Sequence, residues 1–508
     1  MDPRRGHLSD AGHTIEFLTI EKKYMYLGLD LGTSELKALL LADDHRVVAV
    51  AHAQLTVQQP QPLWSEQDPH SWWRALESVM DQLAASHRAA LTAVRAIGLS
   101  GQMHGAVLLD AQDKVLRPAI LWNDGRSGAA CVALTEAVPE VAAITGNLAM
   151  PGFTAPKLWW LREFEPDIFN QTARVLLPKD YLRLLLTGEA VTDCSDASGT
   201  LWLDVGARTW SPKLLAACGL DESHMPRVVE GSEVSAGLSA HIATRWGLRA
   251  GLPVAGGGGD NAASAVGMGV VSPGQGFVSL GTSGVVFLAT DSFRPNPAQA
   301  VHAFCHALPN RWHQMSVMLS AASAVSWATK LLRYDNEAAL LAAAAQVSPS
   351  ARANAPLFLP YLSGERSPHN NPNAQGVLFG LTHSHDTSAL AYAVVEGVNF
   401  GLCDGWRTLA TDQPIGALSV VGGGARSAWW SQELANTLGV PLVTQEGGAT
   451  GGALGAARLA WLADGGVEAD VCLSPPVAQR FEPVTQPAAE AARYQRFGAL
   501  YQALRGSF

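Results

Sequence analysis

The sequence predicts a mixed α/β fold of two similar domains with an active-site cleft between them. Its 508 residues exceed what one hydrophobic core usually supports. Residues 29–41 and 278–290 also share the tetrapeptide Leu-Gly-Thr-Ser between apolar runs, at a spacing far longer than a solenoid repeat. Short apolar strands and helical periodicity alternate after each copy, as is typical of α/β domains.

Each copy of the repeat predicts a β-hairpin with a Gly-Thr-Ser tip. We therefore expect two domains, over residues 25–270 and 271–508, with a boundary in the Gly- and Pro-containing stretch 267–274. Residues 1–24 carry four acidic residues and one short apolar run, unlike a signal or transit peptide. We expect them to be an extension that precedes the compact fold.

Helix signals follow the first hairpin. Asp68 and Pro69 are typical of a helix N-cap and first turn, and the apolar residues after them keep helical spacing. The same periodicity predicts later helices over 390–409 and 453–462.

The composition favours a globular enzyme that acts on small molecules. Hydrophobic residues make up 48% of the chain, and charged residues make up 16%. The net charge of −10 gives no reason to expect a nucleic-acid partner, and an anionic ligand would need a local binding site. No run of about 20 apolar residues predicts a membrane span. Six cysteines without a Cys-x-x-Cys spacing indicate reduced thiols in a cytoplasmic protein, and the sequence leaves a homodimer open.

The two Gly-Thr-Ser tips are candidate phosphate-binding turns. Tight turns of this kind offer backbone N–H groups and hydroxyls to phosphate oxygens. The residues concerned are Gly32, Thr33, Ser34, Gly281, Thr282 and Ser283. Asp30 precedes the first tip and could hold Mg²⁺ through oxygen ligation. The alternative is that these are ordinary structural turns, in which Asp30 only initiates the bend.

Two glycine clusters are candidates for binding the nucleoside. The first follows an apolar strand and comprises Gly422, Gly423, Gly424 and Ala425 with the nearby Ser427. The second, over 447–455, opens a helix of small residues. Missing side chains allow the backbone to approach a flat ligand such as adenosine, although glycines that pack against a neighbouring helix look the same in sequence.

Asp260 is the sharpest candidate for a catalytic base. The run from Gly256 to Gly259 removes side chains before its carboxylate, and Asn261 beside it is a further candidate for binding the substrate. An ionised Asp at a strand end can accept a hydroxyl proton, although glycine-rich turns with an Asp are also common structural features. Met103 and His104, in a polar turn after a strand, are candidates for binding a polyol.

Two further patterns resemble binding sites. Trp122, with Arg126 in the turn after it, could form the wall of a sugar pocket. His302, Cys305, His306 and His313 resemble loose metal ligands, but the segment alternates like a strand, so we do not predict a zinc site. The sequence contains neither a G-x-x-x-x-G-K-[ST] loop nor a G-x-G-x-x-G fingerprint, which argues against P-loop, protein-kinase and Rossmann enzymes.

Longer phrases carry a family resemblance over most of the chain from Met25 to about residue 505. These phrases are 30–34, 63–69, 101–105, 117–126, 152–158, 177–181, 257–262, 280–284, 359–366 and 421–425. They resemble the FGGY carbohydrate kinases, within the superfamily that also contains actin and the heat-shock chaperones. The resemblance implies two ribonuclease-H-like (actin-like ATPase) domains that close over ATP, Mg²⁺ and a sugar.

The resemblance also implies roles for single residues. Asp260 matches the catalytic base, Met103 and His104 match a sugar-binding pair, and Asp30 matches the acidic residue near metal and phosphates. The phrases are most similar to those of bacterial members that transfer the γ-phosphate of ATP to O5 of D-xylulose. Kinases of ribulose, gluconate or another polyol, and an actin-like nucleotide switch, stay open as alternatives.

Overall fold

The computed structural model describes residues 23–446, 451–484 and 488–508. The expected extension, apart from its last two residues, and the start of the second glycine cluster (447–450) lie outside the described residues. The strands up to residue 259 are β1 (Met25–Leu31), β2 (Glu35–Ala42), β3 (Val47–Gln54), β4 (Glu66–Gln67), β5 (Val94–Gly101), β6 (Val107–Leu109), β7 (Ala119–Ile120), β8 (Arg174–Leu176), β9 (Val191–Asp193), β10 (Leu203–Asp204), β11 (Thr209–Trp210), β12 (Arg227–Val229), β13 (Val234–Gly237), β14 (Pro253–Ala255) and β15 (Gly258–Gly259). The helices up to residue 267 are α1 (Pro69–Ser86), α2 (Arg88–Thr92), α3 (Gly128–Ala137), α4 (Val141–Thr145), α5 (Thr154–Phe164), α6 (Pro166–Gln171), α7 (Pro178–Thr187), α8 (Cys194–Ala197), α9 (Pro212–Ala217), α10 (Ala240–Trp246) and α11 (Asp260–Gly267).

The second half of the chain repeats the mixture of strands and helices. Its strands are β16 (Gly276–Leu280), β17 (Gly284–Thr290), β18 (His302–Cys305), β19 (Trp312–Met318), β20 (Leu357–Pro360), β21 (Gly376–Phe379), β22 (Leu418–Val421), β23 (Leu442–Gln445) and β24 (Val477–Phe481). Its helices are α12 (Ala322–Leu331), α13 (Glu337–Ala345), α14 (Pro349–Asn354), α15 (Thr387–Arg407), α16 (Ala428–Leu438), α17 (Gly451–Ala463), α18 (Glu468–Val471) and α19 (Ala488–Leu504).

Two large sheets share one topology. The first has the strand order β13-β14-β5-β1-β2-β3, and the second has β18-β19-β17-β16-β22-β23-β24. In each, an antiparallel hairpin (β1–β2 or β16–β17) is followed by two parallel strands (β5 and β14, or β22 and β23). Each sheet then gains an antiparallel edge strand, β13 or β24. The shared order confirms the predicted two-domain α/β fold and its internal duplication.

The two hairpin tips differ by one residue. Leu31 pairs with Leu36 in the first hairpin, so four residues form its tip, whereas Leu280 pairs with Gly284 in the second and three residues suffice. In the first tip, the N–H of Gly32 donates to the carbonyl of Glu35 at 3.0 Å. The predicted hairpins are therefore confirmed, with a register offset that the shared tetrapeptide does not reveal.

Helix α1 covers one face of the first sheet. Asp68 caps its N-terminus by accepting from the N–H of His70, and Pro69 occupies the first turn, as predicted. Its buried stripe includes Trp72 and Leu83, which pack with strands β1 and β2 in one core cluster. On the second sheet, α12, α15 and α16 bury the corresponding face. The predicted helix over 390–409 is α15, which begins three residues earlier than expected, at Thr387, because Asp386 caps its N-terminus.

Helix α17, from the second half of the chain, packs on the first sheet. A Cβ added at Gly28 would lie 2.0 Å from the carbonyl oxygen of Ala453, and one added at Gly98 would lie 1.9 Å from that of Ala456. Only glycine allows this approach of helix to sheet. Helix α11 crosses α17 at an equally short distance, since a Cβ at Gly455 would lie 1.7 Å from the carbonyl oxygen of Ala263. The two halves of the chain therefore interlock at this crossing.

None of the helices in the described ranges is long and apolar enough to span a membrane.

Candidate active site

Asp260 begins helix α11, directly after the glycine run that the sequence indicated. Strand β15 places Gly259 beside Gly101, at the carboxyl end of β5. The side chain of Met103 lies against Gly259, where a Cβ would be 2.8 Å from Met103 Cγ. Burial raises the pKa of Asp260 to about 6, and the nearby charge of Asp30 contributes to the rise. The hydrogen bond from the N–H of Asn261 acts in the opposite direction. A carboxylate with a raised pKa is a stronger base than an ordinary Asp.

Asn261 contacts the catalytic candidate directly. Its backbone N–H and its side-chain amide both donate to Asp260 Oδ1, at 2.7 and 3.0 Å. The two donors orient Oδ1, and no hydrogen bond to Oδ2 is present among the described residues. Asn261 is itself half-buried.

Asp30 lies on β1, at the first tip and near Asp260. A Cβ at Gly452 would be 2.6 Å from Asp30 Oδ2, so the first turn of α17 adjoins this carboxylate. Burial raises the pKa of Asp30, while Ser100 and Lys37 oppose the rise. The partial positive charge at a helix N-terminus favours a carboxylate or a phosphate at this place.

The first tip is held by a network of side chains. Thr33 Oγ1 donates to Gln102 Oε1 at 2.9 Å and accepts from Trp122 Nε1 at 3.0 Å. Gln67 Nε2 donates to the carbonyl of Thr33 at 2.7 Å. Because the Thr33 hydroxyl is engaged, the groups that the tip can offer to a phosphate are the amides of Thr33 and Ser34 and the Ser34 hydroxyl. The indole of Trp122 is 42% exposed beside this tip.

His104 occupies a left-handed backbone conformation, with φ of 67°. Its Nδ1 lies 2.6 Å from the carbonyl of Gly199, which can only accept, so Nδ1 carries the proton and Nε2 is an acceptor. Burial lowers the pKa of His104 to about 3, although the bond to Gly199 opposes the shift. The imidazole is therefore neutral at pH 7 and can accept a hydrogen bond from a sugar hydroxyl.

Lys157 fixes the turn that carries His104. Its buried Nζ donates to the carbonyls of His104 and Gly152, both at 2.8 Å, and Thr154 Oγ1 donates to the same carbonyl of His104 at 3.1 Å. Burial lowers the pKa of Lys157 to about 7. These contacts stabilise a backbone conformation that is uncommon outside glycine.

The second tip is hydrogen-bonded to the start of helix α12. The carbonyls of Gly281 and Thr282 accept from the backbone N–H groups of Ala322 and Ala321, at 2.9 and 3.0 Å. Since these carbonyls accept from α12, the groups that the tip can present to a ligand are its amides and the hydroxyls of Thr282 and Ser283.

The first glycine cluster packs on this second tip. Gly422 has φ of 89°, and a Cβ there would lie 2.7 Å from the carbonyl oxygen of Leu280. A cavity of about 400 Å³ opens beside it, at the carboxyl ends of β22 and β23. The lining residues are Val420, Val421, Gly422, Gly423, Ala425, Arg426, Thr444 and Gln445. This volume lies within the range usual for small-ligand pockets.

Some candidate residues have other contacts. Gly424 packs under Trp430 and does not line the cavity, and the Ser427 hydroxyl caps α16 by accepting from the N–H of Trp430 at 3.2 Å. Arg126 does not form a pocket wall as suggested, because its buried guanidinium pairs with Asp124 and Glu66 at 2.8 and 2.7 Å.

The histidine-rich segment forms two antiparallel strands instead of the single strand that its alternation predicts, with His302 on β18, His313 on β19 and His306 between them. His302 Nδ1 donates to Asn147 Oδ1 at 2.9 Å, and Arg366 Nη1 donates to His302 Nε2 at 3.3 Å. Within the described ranges, no three His, Cys, Asp or Glu side chains are grouped to hold a metal ion. The charge of Arg366 also contributes to the lowering of the pKa of His104, so this second-half residue lies near the turn that carries Met103 and His104. Sequence reasoning included Arg366 only within a family phrase.

Comparison with known proteins decides the family. Profiles of the FGGY family of carbohydrate kinases match residues 25–267 with the N-terminal domain and residues 276–463 with the C-terminal domain. The chain is 53% identical to the xylulose kinase of Escherichia coli (strain K12) over 94% of its length and 99% of that protein. The chain belongs to the FGGY family of carbohydrate kinases. It is accordingly an ATP-dependent sugar kinase.

Solved FGGY kinases share the whole architecture. A "xyloylose kinase" from Brucella ovis superposes with a TM-score of 0.91 at 50% identity, covering 96% of this chain and 100% of that chain. A gluconate kinase from Lactobacillus acidophilus superposes with a TM-score of 0.87 at 26% identity, covering 96% and 98%. The fold therefore does not separate these sugars, and the choice between them depends on the site.

Proposed function

We propose that this FGGY kinase transfers the γ-phosphate of ATP to O5 of D-xylulose, giving D-xylulose 5-phosphate and ADP. The observation that carries the choice of sugar is the 53% identity with the E. coli xylulose kinase over nearly the whole of both chains. The Gln102-Met-His104 turn argues against glycerol as the acceptor, since the family resemblance implies an Arg-Glu pair at the corresponding turn of glycerol kinases. Gluconate or ribulose as the acceptor is the alternative within the family.

The proposed reaction is an in-line transfer. Asp260 accepts the proton of the attacking O5 hydroxyl on its Oδ2, while Asn261 holds Oδ1 in place. With a pKa of about 6, Asp260 is mostly ionised at pH 7, so the base is ready in the resting enzyme. The neutral His104 accepts from another hydroxyl of the sugar through Nε2. Both contacts align the sugar for attack.

Nucleotide contacts divide between the two halves of the chain. The amides of Thr33 and Ser34 and those of the tip at 281–283 donate to phosphate oxygens, and the cavity beside Gly422 receives the nucleoside. Donors fixed in place before the reaction stabilise the negative charge of the transferred phosphoryl group.

A magnesium ion fits the chemistry of this site. Asp30 offers carboxylate oxygens, the ligands that Mg²⁺ prefers, and ATP phosphates and water would complete the coordination. When bound, the ion neutralises charge on the phosphate oxygens. Asp30→Ala is expected to change the Mg²⁺ dependence of the rate.

A coupled assay of ADP release tests the proposed sugar. The purified protein is assayed with D-xylulose, D-ribulose, gluconate and glycerol, and kcat/KM is measured for each. We expect ADP release to require a sugar and to be most efficient with D-xylulose. A higher kcat/KM with ribulose or gluconate would move the function to that sugar. ATP hydrolysis that no sugar changes would favour an actin-like nucleotide switch instead.

A further inference from the structure

A buried charged cluster lies behind the glycine run that presents Asp260. We define the brace cluster as Lys179, Asp180 and Arg183 on α7, Asp193 at the end of β9, and Asp196 on α8. Their side chains are all 0% exposed. Lys179 Nζ lies 2.6 Å from Asp180, 2.9 Å from Asp193 and 3.0 Å from Asp196. The reaction described above uses none of these groups.

One branch of the brace cluster reaches the residue before Asp260. Asp193 Oδ2 accepts from the backbone N–H of Ser195 at 2.8 Å and from its hydroxyl. The Ser195 oxygen in turn accepts from the N–H of Gly259 at 3.1 Å. The Arg183 guanidinium also donates to the carbonyls of Ala255 and Gly256, at the start of the same glycine run.

A second branch reaches the sugar-binding histidine. The segment that begins at Asp193 continues to Gly199, whose carbonyl accepts from His104 Nδ1 at 2.6 Å. A Cβ at Gly199 would lie 2.5 Å from that nitrogen, so the segment and the imidazole are in direct contact. Asp260 and His104 are thus attached to one short segment, 193–199, which Lys179 holds at two carboxylates.

Stability alone does not account for a cluster of this kind. Burying charges has a large desolvation cost, and apolar residues of similar volume often stabilise a fold equally well. The cluster holds three acids and two bases, and burial raises the pKa of Asp196 well above its ordinary value, so that this acid can retain a proton. Apolar residues could not supply the fixed hydrogen-bond acceptors that Ser195 and its neighbours need.

We propose that the brace cluster is a positioning device that sets Asp260 and His104 at a fixed separation for phosphoryl transfer. This inference rests on the proposed function, because it takes Asp260 as the base and His104 as a sugar contact. Ser195 and Asp193 are positioning residues, since they act through Gly259 and do not touch the reacting atoms. A small displacement of a base from its productive position can lower a rate about 100-fold.

The test compares two buried serines on one segment. Ser195→Ala removes the acceptor of the Gly259 N–H. Ser198→Ala removes a hydroxyl whose partners, in the part of the chain that the structure describes, are the carbonyl of Cys194 and the N–H of Cys305, at 2.7 and 3.0 Å. We expect Ser195→Ala to lower kcat by about 10–100-fold while KM for ATP stays within about 2-fold. We expect Ser198→Ala to keep kcat within about 3-fold of the parent.

Hydrogen exchange supplies a readout that does not depend on turnover. Single-amide exchange should show the Gly259 N–H exchanging about 10-fold faster in Ser195→Ala and unchanged in Ser198→Ala. Asp193→Asn keeps the side-chain shape and is expected to change kcat and exchange in the same direction as Ser195→Ala, which covers the case in which one variant does not fold.

The outcomes are separable from those of the proposed function. Faster exchange at Gly259 with unchanged kcat would overturn the positioning role, and so would equal losses of kcat in Ser195→Ala and Ser198→Ala. Failure of the unaltered protein on D-xylulose would refute the proposed sugar only, because kcat is then compared on the sugar that the panel favours. The exchange measurement needs no sugar at all.

Discussion

At the scale of single residues, the site depends on two neighbouring carboxylates in different surroundings. Asp260 takes its raised pKa chiefly from burial, and Asp30 adds a like charge. Asp30 itself adjoins the first turn of α17. We assign proton transfer to Asp260 because Asn261 fixes one of its oxygens and leaves the other for the substrate.

The pKa of Asp260 predicts how activity depends on pH. Only the ionised carboxylate accepts a proton, so kcat/KM should be constant above about pH 7 and fall tenfold per unit below about pH 6, the pKa of this group. An ordinary Asp would place the fall near pH 4. A profile of kcat/KM from pH 4.5 to pH 8 measures it, and a flat profile down to about pH 4.5 would contradict the assignment.

Trp122 gives a prediction about the first tip. Trp122→Phe keeps an aromatic ring but loses the donor to Thr33 Oγ1, a bond of 3.0 Å. A neutral hydrogen bond contributes about 0.5–1.5 kcal/mol, so KM for ATP should rise about 2–10-fold. Trp122→Ala removes the ring as well and should also raise KM for the sugar. Normal KM values in both variants would remove Trp122 from the site.

The sequence predicted some site residues better than others. Asp260 could be identified because glycines isolate it in the chain. The hydrogen bonds of the Thr33 hydroxyl could not be predicted, since its partners Gln102 and Trp122 are distant in sequence. Lys179 and Arg183 were missed for a physical reason: charged residues on a helix are usually exposed, and only the folded structure shows them buried.

At the scale of elements, the contact of α17 with the first sheet is one of the contacts that join the two halves. Gly28 and Gly98 lie on neighbouring strands and let the helix backbone approach the sheet. Helix α11 then crosses α17 at small residues. The chain element that carries Asp260 is thereby fixed to the element that adjoins Asp30.

This close contact predicts the effect of one methyl group. Gly98→Ala would place a Cβ 1.9 Å from the Ala456 carbonyl oxygen, so helix or sheet must move. Overpacking of this kind costs about 1–3 kcal/mol, and the free energy of unfolding in urea should fall by that amount. Gly128→Ala is the matched control and should not lower it, because an added Cβ there meets no neighbouring element within 4 Å among the described residues. Equal stability of the two variants would contradict the packing described.

Elements were predictable where local signals set them. Asp68 and Pro69 mark the start of α1, and the Gly-Thr-Ser turns mark both hairpins. The pairing of α17 with the first sheet was not predictable, because its apolar and small residues suit either sheet. Packing partners of this kind depend on contacts between distant segments, which periodicity does not encode.

At the scale of the whole molecule, the duplicated sheets explain where the ligands meet. Parallel strands β1 and β5 end near Asp30 and Asp260, and β16, β22 and β23 end near the second tip and its cavity. In the proposed function, the first half supplies the base and the sugar contacts, and the second half supplies the nucleoside pocket.

The most direct test of this account is the turnover of Asp260→Asn with saturating ATP and D-xylulose. The account predicts that kcat falls by about 10²–10⁴, or about 3–5 kcal/mol, because the amide cannot accept the hydroxyl proton. The thermal unfolding midpoint should not fall, since a neutral amide removes the cost of a buried charge. A kcat within about threefold of the parent enzyme would contradict the role given to Asp260 and the mechanism built on it.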